Sequence, residues 1–117
     1  MTNLGSYLRK KREALRASDA RYSIRQVAAR IDVQPSYLSK VERGKEAPPS
    51  EKTLRRLAKD LGEDVDMLLA LGGKISSDLA QIIRKRPMLF AELIRDLKDM
   101  PDHAVLRIVR EVQDGNW

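Results

Sequence analysis

Ser23-Ile24-Arg25-Gln26-Val27-Ala28-Ala29-Arg30-Ile31-Asp32-Val33-Gln34-Pro35-Ser36-Tyr37-Leu38-Ser39-Lys40-Val41-Glu42-Arg43-Gly44 reads as two short helices joined by a tight turn. Ser23 followed by Gln26 is a capping-box start, in which hydroxyl and amide each satisfy an orphan backbone N–H. Val27, Ala28 and Ile31 then bury one side of the first helix, and Ala28 is small where the second helix must cross closely. After Asp32-Val33 the chain restarts with Pro35 in the first helical turn, where its missing N–H is harmless. On the second helix Leu38 and Val41 point inward. Ser36, Ser39, Lys40 and Arg43 fall on the opposite face, because steps of three and four residues return to one side. Hydroxyls and cations standing on an apolar inner face suit the major groove of a duplex.

The rest of the chain also reads as helical. A first helix is expected from about Asn3 to Leu15. The loop Gly44–Pro49 ends at Ser50, an N-cap for a helix that stops at Gly62. Asp64 caps a short helix ending near Leu71, and Gly72-Gly73 breaks the chain. Beyond the break, Ser76 or Ser77 starts a segment with Leu79, Ile82 and Ile83 at helical spacing. Pro87 opens another, with Leu89/Phe90, Leu93/Ile94 and Leu97 on one face. Pro101-Asp102 opens the last, with Val105, Ile108, Val109 and Val112 as a stripe. No strand alternation, internal repeat or low-complexity tract is present.

At 117 residues the chain supports one domain, or one small domain plus an extension. Its net charge of +6 is unevenly placed. Residues 1–45 hold eleven Lys/Arg against four Asp/Glu, a net of +7; residues 46–71 carry −2 and residues 72–117 carry +1. The whole excess therefore sits on the half that holds the two-helix stretch, as phosphate binding requires. With no cysteine there is no disulfide, thiolate metal site or redox switch. The N-terminus lacks a signal-peptide apolar region. The longest apolar run, Met67–Leu71, is far short of the roughly 20 residues that span a bilayer. A soluble, cytoplasmic protein without membrane contact is expected, associated with the nucleoid when bound to DNA. His103, the only histidine, has no cysteine and only scattered carboxylates around it in sequence, so no metal is expected. One histidine and ordinary capping serines make no catalytic triad. Gly72-Gly73 follows no strand and is a linker rather than a phosphate cradle. Neither an enzyme nor a cofactor is expected.

The two-helix stretch resembles the helix-turn-helix of the lambda repressor/Cro class, the XRE family of bacterial and phage regulators. The resemblance runs from about Leu4 to Leu69. It includes Leu4-Gly5, Leu8-Arg9 and Arg12 in the first helix, and Leu38-Ser39, Glu42-Arg43-Gly44 and Pro48-Pro49-Ser50 around the loop. Leu54, Leu57-Ala58, Leu61-Gly62, Asp66 and Leu68-Leu69 complete it. It implies an all-α fold: a five-helix lambda repressor-like DNA-binding domain, residues 1–71, followed by a short helical C-terminal extension. It also implies that Arg12 pairs with Glu42 as a structural ion pair holding the first helix to the recognition helix. The family often has Gly where this chain has Asp32, so Asp32 is expected in the left-handed conformation, which Asp tolerates. The connection Arg16–Tyr22 is longer and more polar than usual.

Gln34, Ser36 and Lys40 are the candidates for base contacts, since Gln pairs with adenine, Lys donates to guanine and Ser is permissive. Pro35 stands where the family often reads bases and offers apolar contact, for instance to a thymine methyl. Ser39, Arg43 and Lys45, with the backbone N–H of Gly44, are placed to clamp phosphates. Arg25 on the first turn of its helix, the Tyr37 hydroxyl and Arg9 are further phosphate candidates. Lys10 and Lys11 read as a solvated face.

The segment 74–117 is too apolar for a disordered tail and too short to hold its own core comfortably. Leu79, Ile82, Ile83, Leu93, Ile94, Leu97, Val105, Ile108 and Val109 are expected to form a dimerisation and control element. The competing reading folds them back on the fifth helix to enlarge a monomer core. The functional expectation is a sequence-specific regulator, a repressor or autoregulator, binding double-stranded DNA as a homodimer on a two-fold-related operator. The rival is a protein-interaction module whose C-terminal helices bind a toxin or a protein antagonist.

Overall fold

The computed structural model describes residues 3–115 and contains eight α-helices with no strand among them. Helix α1 spans Leu4–Arg16, and a 3₁₀ turn spans Ala20–Tyr22. Next come α2 (Ile24–Arg30), α3 (Pro35–Glu42), α4 (Glu51–Leu61) and α5 (Val65–Leu71). The last three are α6 (Ser77–Lys85), α7 (Pro87–Leu97) and α8 (Asp102–Asp114). The chain divides into two compact units, the first ending at Ser76 and the second beginning at Ser77. The first extends past the Gly72-Gly73 pair because the chain turns back on α5. The Lys74 N–H donates to the Leu69 carbonyl at 2.8 Å, and Ser76 is buried.

Side-chain caps set most helix starts in the first unit. Asn3 lies outside α1 and caps it, its Oδ1 accepting from the Ser6 N–H at 2.8 Å, so the helix runs one residue later at each end than its spacing implied. Ser50 caps α4 and Asp64 caps α5. Gly62, at φ 70°, stops α4 in the left-handed region, where a Cβ is costly. The capping box expected at Ser23 forms only in half. Ser23 Oγ accepts from the Gln26 N–H at 3.3 Å, but the Ser23 N–H donates to Ala20 O, closing the 3₁₀ turn, and leaves nothing for the Gln26 amide to accept.

The core of this unit is the sum of the apolar stripes. Leu4 and Leu8 come from α1, Val27 and Ala28 from α2, and Leu38 and Val41 from α3. Leu54, Leu57, Ala58 and Leu61 line α4, and Leu68 and Leu69 close it from α5. Asp32 holds the turn between α2 and α3 at φ 62°.

Helix α1 approaches α3 closely at Gly5. A Cβ there would lie 2.5 Å from Val41 O and 2.7 Å from Glu42 O, both backbone atoms that cannot step aside. Gly5→Ala gains about 1 kcal/mol of helix propensity, but it forces the two helices apart. A net loss of about 2 kcal/mol is expected from overpacking of this kind, read as a lower urea midpoint with an unchanged slope. A stabilised Gly5→Ala protein would contradict the contact.

The second unit is built differently. None of the side chains of α6, α7 or α8 is buried. Ile83, Leu97, Val105 and Ile108 are half-buried, whereas Leu79, Ile82, Leu93, Ile94 and Val109 are exposed. Each stripe expected from the sequence is thus split between the two settings.

Candidate nucleic-acid interface

Arg12 occupies the position on α1 two turns after Leu4 and one after Leu8, so helical periodicity carries a charged residue onto the apolar face. Its partner comes from α3. Arg12 Nε donates to Glu42 Oε2 at 2.7 Å and Nη2 to Glu42 Oε1 at 3.0 Å, a bidentate pair with both side chains 4% exposed. The remaining donors reach Tyr22 O at 3.2 Å and Glu13 Oε1 at 3.1 Å. Glu42 thereby holds the Arg12 guanidinium above its ordinary pKa. No buried side-chain nitrogen or oxygen among the described residues lacks a partner.

The connection Ser18–Ser23 is pinned by a second set of polar contacts. Asp19 caps the 3₁₀ turn and receives the Arg21 guanidinium at 2.8 Å. That hydrogen bonding lowers the Asp19 carboxyl to a pKa of about 2. Tyr22 lies under the Arg30 guanidinium, 5.1 Å from ring centroid to carbon, and Arg30 grips Asp60 of α4 at 2.6 and 3.1 Å. A depressed carboxyl pKa contributes stability above its unfolded value and loses it as pH falls through the folded one. The Asp19 contact is therefore constant across neutral pH. Its carbonyl-carbon NMR shift is expected to titrate near 2, and a midpoint near the usual 3.9 would contradict the Arg21 clamp.

The remaining cations are distributed differently. Lys11, Arg12, Arg21, Arg30, Arg55 and Arg56 each lie within ion-pair distance of a carboxylate. No ion pair among the described residues engages Arg9, Arg16, Arg25, Lys40, Arg43 or Lys45, although Lys10, Lys52, Lys59, Lys74 and the lysines and arginines of the second unit share that property. Arg9 and Arg16 of α1 and Ser39 and Arg43 of α3 line one open cleft whose walls include the Arg12–Glu42 pair. Carboxylates neutralise the cations that tie helices together, and the cations beside α3 are left to solvent.

On α3 Ser36 and Lys40 are exposed and Pro35, Tyr37 and Ser39 half-exposed; Gln34 just before the helix and Arg43 and Lys45 just after it are exposed. Arg43 Nε folds back to donate to Ser39 O at 3.3 Å. Tyr37 packs against the edge of the core, and Arg25 is exposed on the first turn of α2. The donor expected at Gly44 is already engaged. Its N–H donates to Val41 O at 3.1 Å and that of Lys45 to Lys40 O at 2.8 Å, closing the end of α3. Gly44, at φ 72°, serves the turn, and its backbone is not a free phosphate donor. Arg16 was not among the sequence candidates, yet it stands seven residues after Arg9 on the same helical face, a spacing that would have found it.

A family model described as Helix-turn-helix matches residues 8–68. The chain belongs to the XRE/lambda repressor-like helix-turn-helix family. It is a DNA-binding regulator of all-α fold, from a family of regulators rather than of enzymes. No curated protein and no solved structure matches it. Among the described residues no helix is long and apolar enough to cross a membrane, and no three His, Cys, Asp or Glu side chains gather as a metal would need.

The helix-turn-helix depends on Arg12–Glu42 for the seat of α3. Arg12→Ala leaves Glu42 buried and uncompensated, a change that costs about 3–5 kcal/mol. Arg12→Met with Glu42→Leu is expected to recover most of that loss, as measured by urea unfolding. Equal stability of Arg12→Ala and the parent would contradict the pair's burial.

Proposed function

We propose that the protein is a sequence-specific transcriptional repressor or autoregulator that places α3 in the major groove. Gln34, Pro35, Ser36 and Lys40 meet base edges, while Arg9, Arg25, Tyr37, Ser39, Arg43 and Lys45 meet phosphates. The observation that carries this reading is the set of cations beside α3 without carboxylate partners, on the half of the chain that holds a charge of +7. A cation already paired must break that pair to meet a phosphate, and these need not. One recognition helix reads only a few base pairs, so useful specificity calls for two copies on a two-fold-related operator. The segment 74–117 supplies the dimerisation and control element of that assembly. The exposed apolar side chains of the second unit also favour a second reading, in which a protein antagonist or toxin occupies it.

Titration of duplex DNA at several salt concentrations tests the reading. Log affinity should fall linearly with log salt, with a slope of about −0.9 per phosphate contacted. Lys40→Ala and Gln34→Ala should each cost about 1–3 kcal/mol on the preferred site and relax the preference at one base position. Arg43→Ala should weaken all sequences alike. A flat salt response, or Lys40→Ala leaving the preferred-to-random ratio intact while Arg43→Ala abolishes it, would overturn the assignment.

A further inference from the structure

Every large apolar side chain that is exposed among the described residues lies at or beyond Ile75. Apart from Ile75, the first unit exposes none, and the second unit buries none of its own. Exposed apolar surface concentrated in this way marks an interface. Within the second unit, α8 shows how that interface is organised. Its half-buried residues are Ala104, Val105 and Ile108; all its others are exposed, among them Asp102, Leu106, Val109, Arg110 and Gln113. Those five follow one another at i, i+4, i+7, i+8 and i+11, so they share one outward face with Leu106 (52% exposed) near its middle.

We propose that this face of α8 crosses its counterpart from a second copy of the chain, antiparallel and centred on Leu106. The inference rests on the reading of the protein as a dimeric regulator and assigns the contact that makes the dimer. Charge decides both occupant and orientation. Asp102 stands four residues before Leu106 and Arg110 four after it. In an antiparallel crossing through Leu106, Asp102 of each copy lies level with Arg110 of the other, which gives two symmetry-related pairs of opposite charge. A parallel crossing sets Asp102 against Asp102 and Arg110 against Arg110. No ion pair among the described residues engages Asp102 or Arg110 within the chain. The face is therefore self-complementary in one orientation, as an isologous two-fold contact requires. The net charge of residues 72–117 is only +1, so two copies meet without strong mutual repulsion.

The absence of cysteine makes the test direct. In the full-length chain, Leu106→Cys should form a covalent dimer under mild oxidation much faster than Ser18→Cys, an exposed control in the first unit. Residues facing each other across a two-fold axis are the ones that approach within disulfide reach. In sedimentation, Asp102→Arg and Arg110→Asp should each weaken self-association about tenfold, since each turns two attractions into two repulsions. The double exchange should restore it. A wild-type chain that is monomeric at tens of micromolar overturns the proposal and leaves the face to a different protein. A dimer in which Leu106→Cys cross-links no faster than the control, or in which the double exchange recovers nothing, overturns the α8 crossing. Binding to a single half-site should be unchanged in all these variants. Loss of duplex binding by the parent would instead strike the DNA-binding reading and leave the sedimentation result standing.

Discussion

The bidentate pair between Arg12 and Glu42 is the constraint on which the DNA-facing half of the molecule depends. Two charges taken out of water gain little stability over a well-packed apolar pair, yet each becomes indispensable once the other is there. Their contribution is geometric. The guanidinium fixes the end of α3 against α1, and its spare donors reach Glu13 and the carbonyl of Tyr22. The close passage at Gly5 acts on the same two helices, so polar and steric terms set one distance between them. The eight-residue α3 buries two apolar side chains, Leu38 and Val41, and Glu42 is the third residue that it buries.

Around that fixed pair the charges are sorted by task. Arg30 and Asp60 join α2 to α4, and Arg21 and Asp19 stiffen the long connection. Such pairs cost the protein little in solvent but commit the cations involved. Along the cleft between α1 and α3 no carboxylate among the described residues pairs with Arg9, Arg16 or Arg43. The two carboxylates that line the cleft, Glu13 and Glu42, are both taken up by Arg12.

The α2–α3 region was legible in the sequence because its signals are local: a serine cap, a proline in the first turn, and apolar residues at steps of three and four; the left-handed Asp32 followed from the family resemblance. The failures share a physical origin, since each depended on a hydrogen bond whose two ends answer to different elements. The Gln26 half of the capping box failed because Ser23 N–H closes a 3₁₀ turn that no periodicity announces, and the Gly44 N–H was engaged by the helix it follows. Arg30–Asp60 joins residues thirty positions apart and leaves no local trace. In the second unit the spacing of Val105, Ile108 and Val109 revealed an apolar stripe. It did not reveal that Val109 would face outward while the other two were half covered, because that depends on how three short helices share a core too small for them all.

That undersized core has a consequence for how long the protein persists. Local opening costs least where few apolar contacts hold a segment closed, so amide exchange and protease entry begin there. Helices α6 to α8 bury no side chain, whereas α4 alone buries four. Anything that covers α6 to α8 lengthens the lifetime of the whole chain by mass action. In the proposed dimer the covering partner is a second copy, which couples the abundance of the regulator to its own concentration.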